Sequence, residues 1–148
     1  MNEDTVLHKK LGIELFNYTW ELLDKPQRTR EEDDTMIHAA HASRFHWGKA
    51  GTAANLARGE WQISRVYAVL GRSEAARFHG QRCLDICQEN GIADFDLAFA
   101  YEALARASAV AEDAVNKTKY LALAQEAALH IADPEDRKLV VHDLETIL

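Results

Sequence analysis

Two groups of side chains in this chain are of types and spacings that could do chemistry. His38, His41 and His46 stand close together with Trp47 beside them, and on a helix His38 and His41 share a face. Two imidazoles so placed can ligate one metal ion if further ligands arrive from elsewhere, with Glu60 or a residue of a preceding helix as candidates. The glutamate of the helical zinc motif is missing, and Ala39-Ala40 offer no general base. The competing reading is a set of interhelical histidines satisfied by hydrogen bonds. His79, Cys83 and Cys87 follow at intervals of four and form one helical stripe, which could supply soft-metal ligands or a histidine-activated thiol. Packed, inert thiols are the other reading. A bridge between Cys83 and Cys87 would join successive turns of one helix under strain, so a reducing compartment is expected.

Beyond these groups the chain lacks the common catalytic frames. It has no glycine-rich phosphate loop, no Gly-x-Ser-x-Gly elbow and no paired acids in a catalytic setting. Neither an enzymatic activity nor a cofactor is expected.

The elements that position these residues follow from size and pattern. At 148 residues and 16.7 kDa the chain suits one domain spanning 1–148, with a core that needs neither disulfide nor metal. No apolar run approaches the ~20 residues needed to cross a bilayer, and Met1-Asn2-Glu3-Asp4 is acidic, unlike a signal peptide. A cytoplasmic protein without membrane contact is expected. The formal net charge of −7 argues against binding to a nucleic-acid backbone, which relies on Lys and Arg releasing counterions.

Only Pro26 and Pro134 interrupt a sequence rich in helix formers, and no alternating β-branched run suggests a strand. The pattern predicts an all-α fold of about seven helices: Asp4 to Asp24, Glu31 to Trp47, Ala53 to Leu70, Ser73 to Glu89, Asp94 to Ala111, Val115 to Ile131 and Pro134 to Leu148. Gly48 and Gly51 should end the second helix, and Thr52, Ser73 and Asp94 should cap those that follow. The seventh helix should bury Val140, Val141, Leu144 and Leu148 and leave Arg137 and Asp143 wet, as a solvating cap.

The segment Glu60 to Gly71, continuing through Ala76 to Cys83-Leu84, resembles a tetratricopeptide repeat. Ile63 and Ser64 take its large and small positions, Tyr67 the aromatic one, Leu70-Gly71 the turn, Ala76 the small crossing residue, and Cys83-Leu84 the usual Ala-Leu pair. Gly80 stands where an aromatic is usual. A second copy, Leu104 to Val110 ending in Ala128-Leu129, aligns if about four residues are inserted around Glu112 to Lys117. The first two helices would form a third pair, with Ala42 at a crossing position.

The resemblance implies a stack of helix hairpins whose first helices line a concave groove. That face would carry Arg58, Trp61 and Arg65, joined by Phe99, Glu102 and Arg106, an aromatic flanked by arginines suited to a protein or peptide partner with acidic groups. The opposing reading pairs the arginines with Glu60, Asp94 or Glu102 and packs Trp61 on the first two helices. Helix 1 adds Ile13, Phe16, Trp20 and Leu23, an apolar stripe that would form a homodimer surface or be buried within the chain. The function expected is a non-catalytic interaction module. The alternative is a small-molecule or metal-binding helical protein, with enzymatic chemistry included, using His38, His41 and His46.

Overall fold

A computed structural model describes residues 2–147, among which there are seven α-helices and no strand. They are α1 (Glu3–Leu23), α2 (Arg30–Ala50), α3 (Ala53–Val69), α4 (Ser73–Glu89), α5 (Asp94–Val110), α6 (Ala114–Leu129) and α7 (Pro134–Glu145). The expected role of Leu148 and the Met1 end of the acidic terminus lie outside the described residues. No helix described is long and apolar enough to cross a membrane.

Local chemistry sets the boundaries. The side chains of Asn2, Thr29, Thr52, Asp113 and Asp133 each accept a hydrogen bond from a backbone N–H of the helix that follows, satisfying donors that have no partner within the helix. Thr29 with Glu32 and Thr52 with Asn55 close reciprocal capping boxes. Two expected caps are corrected. Ser73 is already the first helical residue of α4, preceded by Arg72, which makes no side-chain cap bond. Asp94 likewise lies inside α5, and its carboxylate accepts instead from the Ala132 N–H at 3.2 Å, tying the start of α5 to the segment before α7. Nor does Gly48 end α2, which continues to Ala50.

Each odd-numbered helix turns back into the even-numbered one after it, giving three antiparallel hairpins, and α2 packs on α3 as α4 packs on α5. The fold is therefore an all-α helix-hairpin stack. Backbone contacts also link α1 to α3, α3 to α5 and α5 to α7, whereas among the described residues the even-numbered helices make no such contact with one another. The odd helices form one continuous row and the even helices stand behind it. α7 closes the stack against α5 and α6 through Val140 and Leu144, which join Ala98, Ala124, Ala128 and Ile131 in one core cluster. Val141, expected inside, is 42% exposed because it falls one residue off the 140/144 face.

The second and third hairpins keep one register at an offset of 41 residues, with α3 and α5 offset end to end and α4 and α6 starting at Ser73 and Ala114. Gly71 (φ 75) and Glu112 (φ 58) occupy the same left-handed position in the turn, and equivalent bonds run from Arg72 N–H to the Tyr67 carbonyl and from Asp113 N–H to the Ser108 carbonyl. The expected four-residue insertion is absent. Buried Ala124 and Ala128 correspond to buried Cys83 and Cys87, and Leu129, which the insertion would have matched to core Leu84, is 68% exposed.

The first hairpin crosses differently. Gly12 lets α2 approach so closely that an added Cβ would lie 3.0 Å from the Trp47 ring, and the Ser43 hydroxyl donates to the Gly12 carbonyl at 2.8 Å. Ala39, Ala40 and Ser43 are buried at this contact, and Ala42, expected there, is only half-buried.

Candidate functional site

The residues expected on the inner row do meet, and they hold one another. Glu102, on α5, has no exposed surface, so its charge must be compensated from within. Its Oε1 accepts from the Trp61 indole Nε1 at 3.0 Å and from Arg65 Nη2 at 3.2 Å, and its Oε2 accepts from Arg106 Nε at 2.9 Å. α7 completes the set. Arg65 also donates to Asp143 Oδ2 at 2.9 Å, and Arg106 to the Asp143 carbonyl and Thr146 Oγ1 at 3.0 and 2.8 Å. Asp143 is thus part of the site and not wet as expected. Arg137 likewise turns inward and donates to the Ile131 carbonyl at 2.7 Å.

Two cations and two anions leave this centre neutral. Burial works against the Arg65 charge, but the Glu102 and Asp143 carboxylates outweigh it and hold the guanidinium above its ordinary pKa. Arg58, at the α3 end nearest α2, pairs through Nε and Nη2 with both oxygens of Asp96 at 3.0 and 3.1 Å, and this bond raises its pKa. Asp96, in the first turn of α5, is the partner here in place of Glu60, Asp94 or Glu102.

Aromatic rings bridge the same helices. Trp61 lies 5.5 Å from Trp20 of α1 and 5.1 Å from Phe99 of α5, and Phe99 meets Phe95 edge-on at 6.4 Å. Arg65 stacks over both tryptophans, 5.9 Å from Trp20 and 5.3 Å from Trp61, and Arg58 over Phe95 at 5.0 Å. All four rings are half-buried, so the row presents one apolar flank outward. Beside it, Ile13, Phe16, Asn17, Trp47, Asn55 and Arg58 surround a notch of about 180 Å³.

The four α1 residues expected as a stripe are divided. Ile13 is exposed, Phe16 borders the notch, Trp20 packs on Trp61, and Leu23 joins the core cluster of Leu22, Met36, Ala40, Ile63 and Val66.

The histidines of α2 separate. His38 is exposed, His41 bonds the Tyr67 hydroxyl through Nε2 at 2.8 Å, and His46 meets His8 of α1 with their Nδ1 atoms 2.8 Å apart. The grouping of His38, His41 and His46 as one metal site is therefore corrected: His38 faces solvent, His41 and His46 bond different neighbours, and no group of three or more metal-ligating side chains is found among the described residues. His41 belongs instead to an outer cluster in which His79 Nδ1 bonds Glu60 Oε1 at 2.9 Å and Arg44 Nε bonds Glu60 Oε2 at 2.8 Å, with His79 stacked on Tyr67. Burial and the nearby His79 lower the His41 pKa, and burial with His8 lowers that of His46. Burial alone would raise Glu60, but its bonds to His79 and Arg44 bring it below the ordinary value.

Cys83 and Cys87 are both free and buried. The hydrogen bond to Cys87 and burial push the Cys83 thiol well above its ordinary value, which disfavours the thiolate.

No family model, curated protein or solved structure matches this chain. The chemistry of the site is thus read from its own geometry. The intramolecular reading of the sequence describes much of this arrangement, since Trp61 packs on α1 through Trp20 and Arg65 and Arg106 pair with Glu102, whereas Asp96, Asp143 and His8 as partners were not foreseen.

Proposed function

We propose that the chain is a non-catalytic interaction module of tetratricopeptide-like type that binds a protein or peptide segment along the row of odd-numbered helices. The repeat reading is supported by the burial of Ile63, Ser64, Ala76, Cys83 and Leu84 at the positions the resemblance assigns to packing, while the 41-residue register between the second and third hairpins, longer than the tetratricopeptide period of about 34, speaks for related hairpins of a longer repeat. The binding reading rests on one observation, the half-buried aromatic row Trp20, Trp61, Phe99 and Phe95 held rigid by arginines whose charges are already compensated.

Such a surface suits a partner that supplies apolar anchors more than one that supplies free acids. Arg65 and Arg106 have their carboxylates, so an incoming acid would have to compete with Glu102 and Asp143. Rigid half-buried aromatics lose little conformational entropy when covered, which is why they dominate binding energy at interfaces. The notch at Ile13 and Phe16 is large enough for one ring-sized side chain, since an apolar cavity of about 150 Å³ holds benzene.

A library of random peptides displayed on phage and selected on the folded protein should yield apolar-anchored binders. These should lose most of their affinity to Ile13→Ser and Phe99→Ser variants that retain the wild-type helical circular-dichroism spectrum. Binders indifferent to both substitutions would move the site off this face, and a selection without binders would remove the reading.

A further inference from the structure

The first hairpin carries apolar surface on the side away from α3 that nothing among the described residues covers. At the other end of the stack, α7 shields α5 and α6. On α1, Leu7 and Tyr18 are 52% and 41% exposed, with half-buried Leu11 between them. Spacings of four and seven place Leu7, Leu11 and Tyr18 on one ridge of the helix. His8, one residue along from Leu7, contacts Phe45 edge-on at 6.4 Å, and Phe45 is itself 56% exposed, so the patch continues onto α2. Lys10 and Glu14 border the ridge, 3.9 Å apart and both largely exposed.

We propose that this ridge seats a second copy of the chain, with the two α1 helices antiparallel about a two-fold axis crossing between Gly12 and Ile13. The ridge is complementary to itself in that arrangement. Leu7 lies opposite Tyr18 of the second copy, Leu11 lies near the axis, and Lys10 comes within reach of Glu14 of the second copy. Two-fold symmetry makes every contact twice. Reversed chain direction is what turns a cation followed one turn later by an anion into two ion pairs across the axis. A parallel pairing would carry Lys10 and Glu14 of the two copies to opposite sides of the contact and form neither pair. The remaining acids of this flank, Glu3 and Glu21, fall at the ends of the contact, where solvent screens them.

This surface is separate from the aromatic row, and its test does not depend on any ligand. Sedimentation equilibrium from about 1 to 100 μM should show the mass rising from 16.7 kDa toward twice that value. Lys10→Glu and Glu14→Lys should each remain monomeric, because each sets like charges together, while both residues are exposed enough for the fold to survive. The double variant Lys10→Glu/Glu14→Lys should associate again, and mixing the two single variants should give a dimer that neither forms alone. A wild-type protein that stays monomeric over this range would overturn the proposal, as would single variants that associate as well as wild type.

Discussion

The indole N–H of Trp61 donates to a carboxylate oxygen of Glu102 across 3.0 Å, joining α3 to α5 at an acid with no solvent exposure. A charge so placed persists only with full compensation, and Arg65 and Arg106 supply it. The bond therefore fixes the aromatic row and the hairpin spacing together.

Replacing Glu102 tests this dependence. Glu102→Ala leaves the buried Arg65 short of one partner and Trp61 without an acceptor, and should cost about 3–5 kcal/mol of unfolding free energy. Urea denaturation followed by tryptophan fluorescence reports both the loss and the loosened Trp61. A cost below about 1 kcal/mol, typical of an exposed pair, would mean that the network does not organise the fold.

The outer histidine cluster makes stability depend on pH. His41 has a folded pKa below its ordinary 6.5, so the unfolded state binds more protons between the two values. Its contribution is complete above 6.5 and declines as pH falls through 6.5 toward the folded value. The depressed Glu60 adds a further loss at lower pH, as it becomes protonated below its ordinary 4.5. Melting temperatures measured from about pH 7.5 to 5 should fall, and His41→Gln, which retains a hydrogen bond to Tyr67, should flatten that slope, with His46 accounting for the remainder. An unchanged slope in the variant would exclude His41 as its source.

The matched turns make a prediction of opposite signs. Glu112 sits at φ 58, where a side chain crowds the backbone, whereas Gly71 holds the equivalent place without that penalty. Glu112→Gly should stabilise by about 0.5–1 kcal/mol, and Gly71→Ala should destabilise by about 1 kcal/mol. Thermal melts of both variants check the pair.

Helix number and type were legible because the punctuation is local: Pro26, Pro134, Gly71, Gly91 and the capping threonines act within a few residues of themselves. Register was not. The four-residue insertion inferred after Glu112 came from matching Ala128-Leu129 to Cys83-Leu84, and sequence could not show that Leu129 faces solvent while Ala124 packs. The same limit applies to the site. Arg58, Trp61 and Arg65 share one face of α3 and Glu102 and Arg106 one face of α5, and the resemblance to a repeat set those two faces side by side. Their partners Trp20, Asp96 and Asp143 come from other helices, through contacts of 37 to 78 residues in sequence that no local pattern encodes. His38, His41 and His46 failed as a group for the complementary reason: nearness along α2 spreads side chains around the helix, so that His38 is left in solvent while Tyr67 and His8 engage His41 and His46 separately.

The Arg65 bond to Asp143 reaches past α5 to a helix with which α3 shares no backbone contact. In an array where each unit touches only its neighbour, the last helix frays first, and its amides exchange with deuterium through openings far less costly than global unfolding. Here release of α7 removes Asp143 and leaves Arg65 and Arg106 to share the one carboxylate of Glu102, an uncompensated positive charge in the middle of the molecule. Amide exchange in α7 is thereby coupled to the central hairpin, and the stack unfolds more nearly as one cooperative unit than as a ladder losing its rungs from one end.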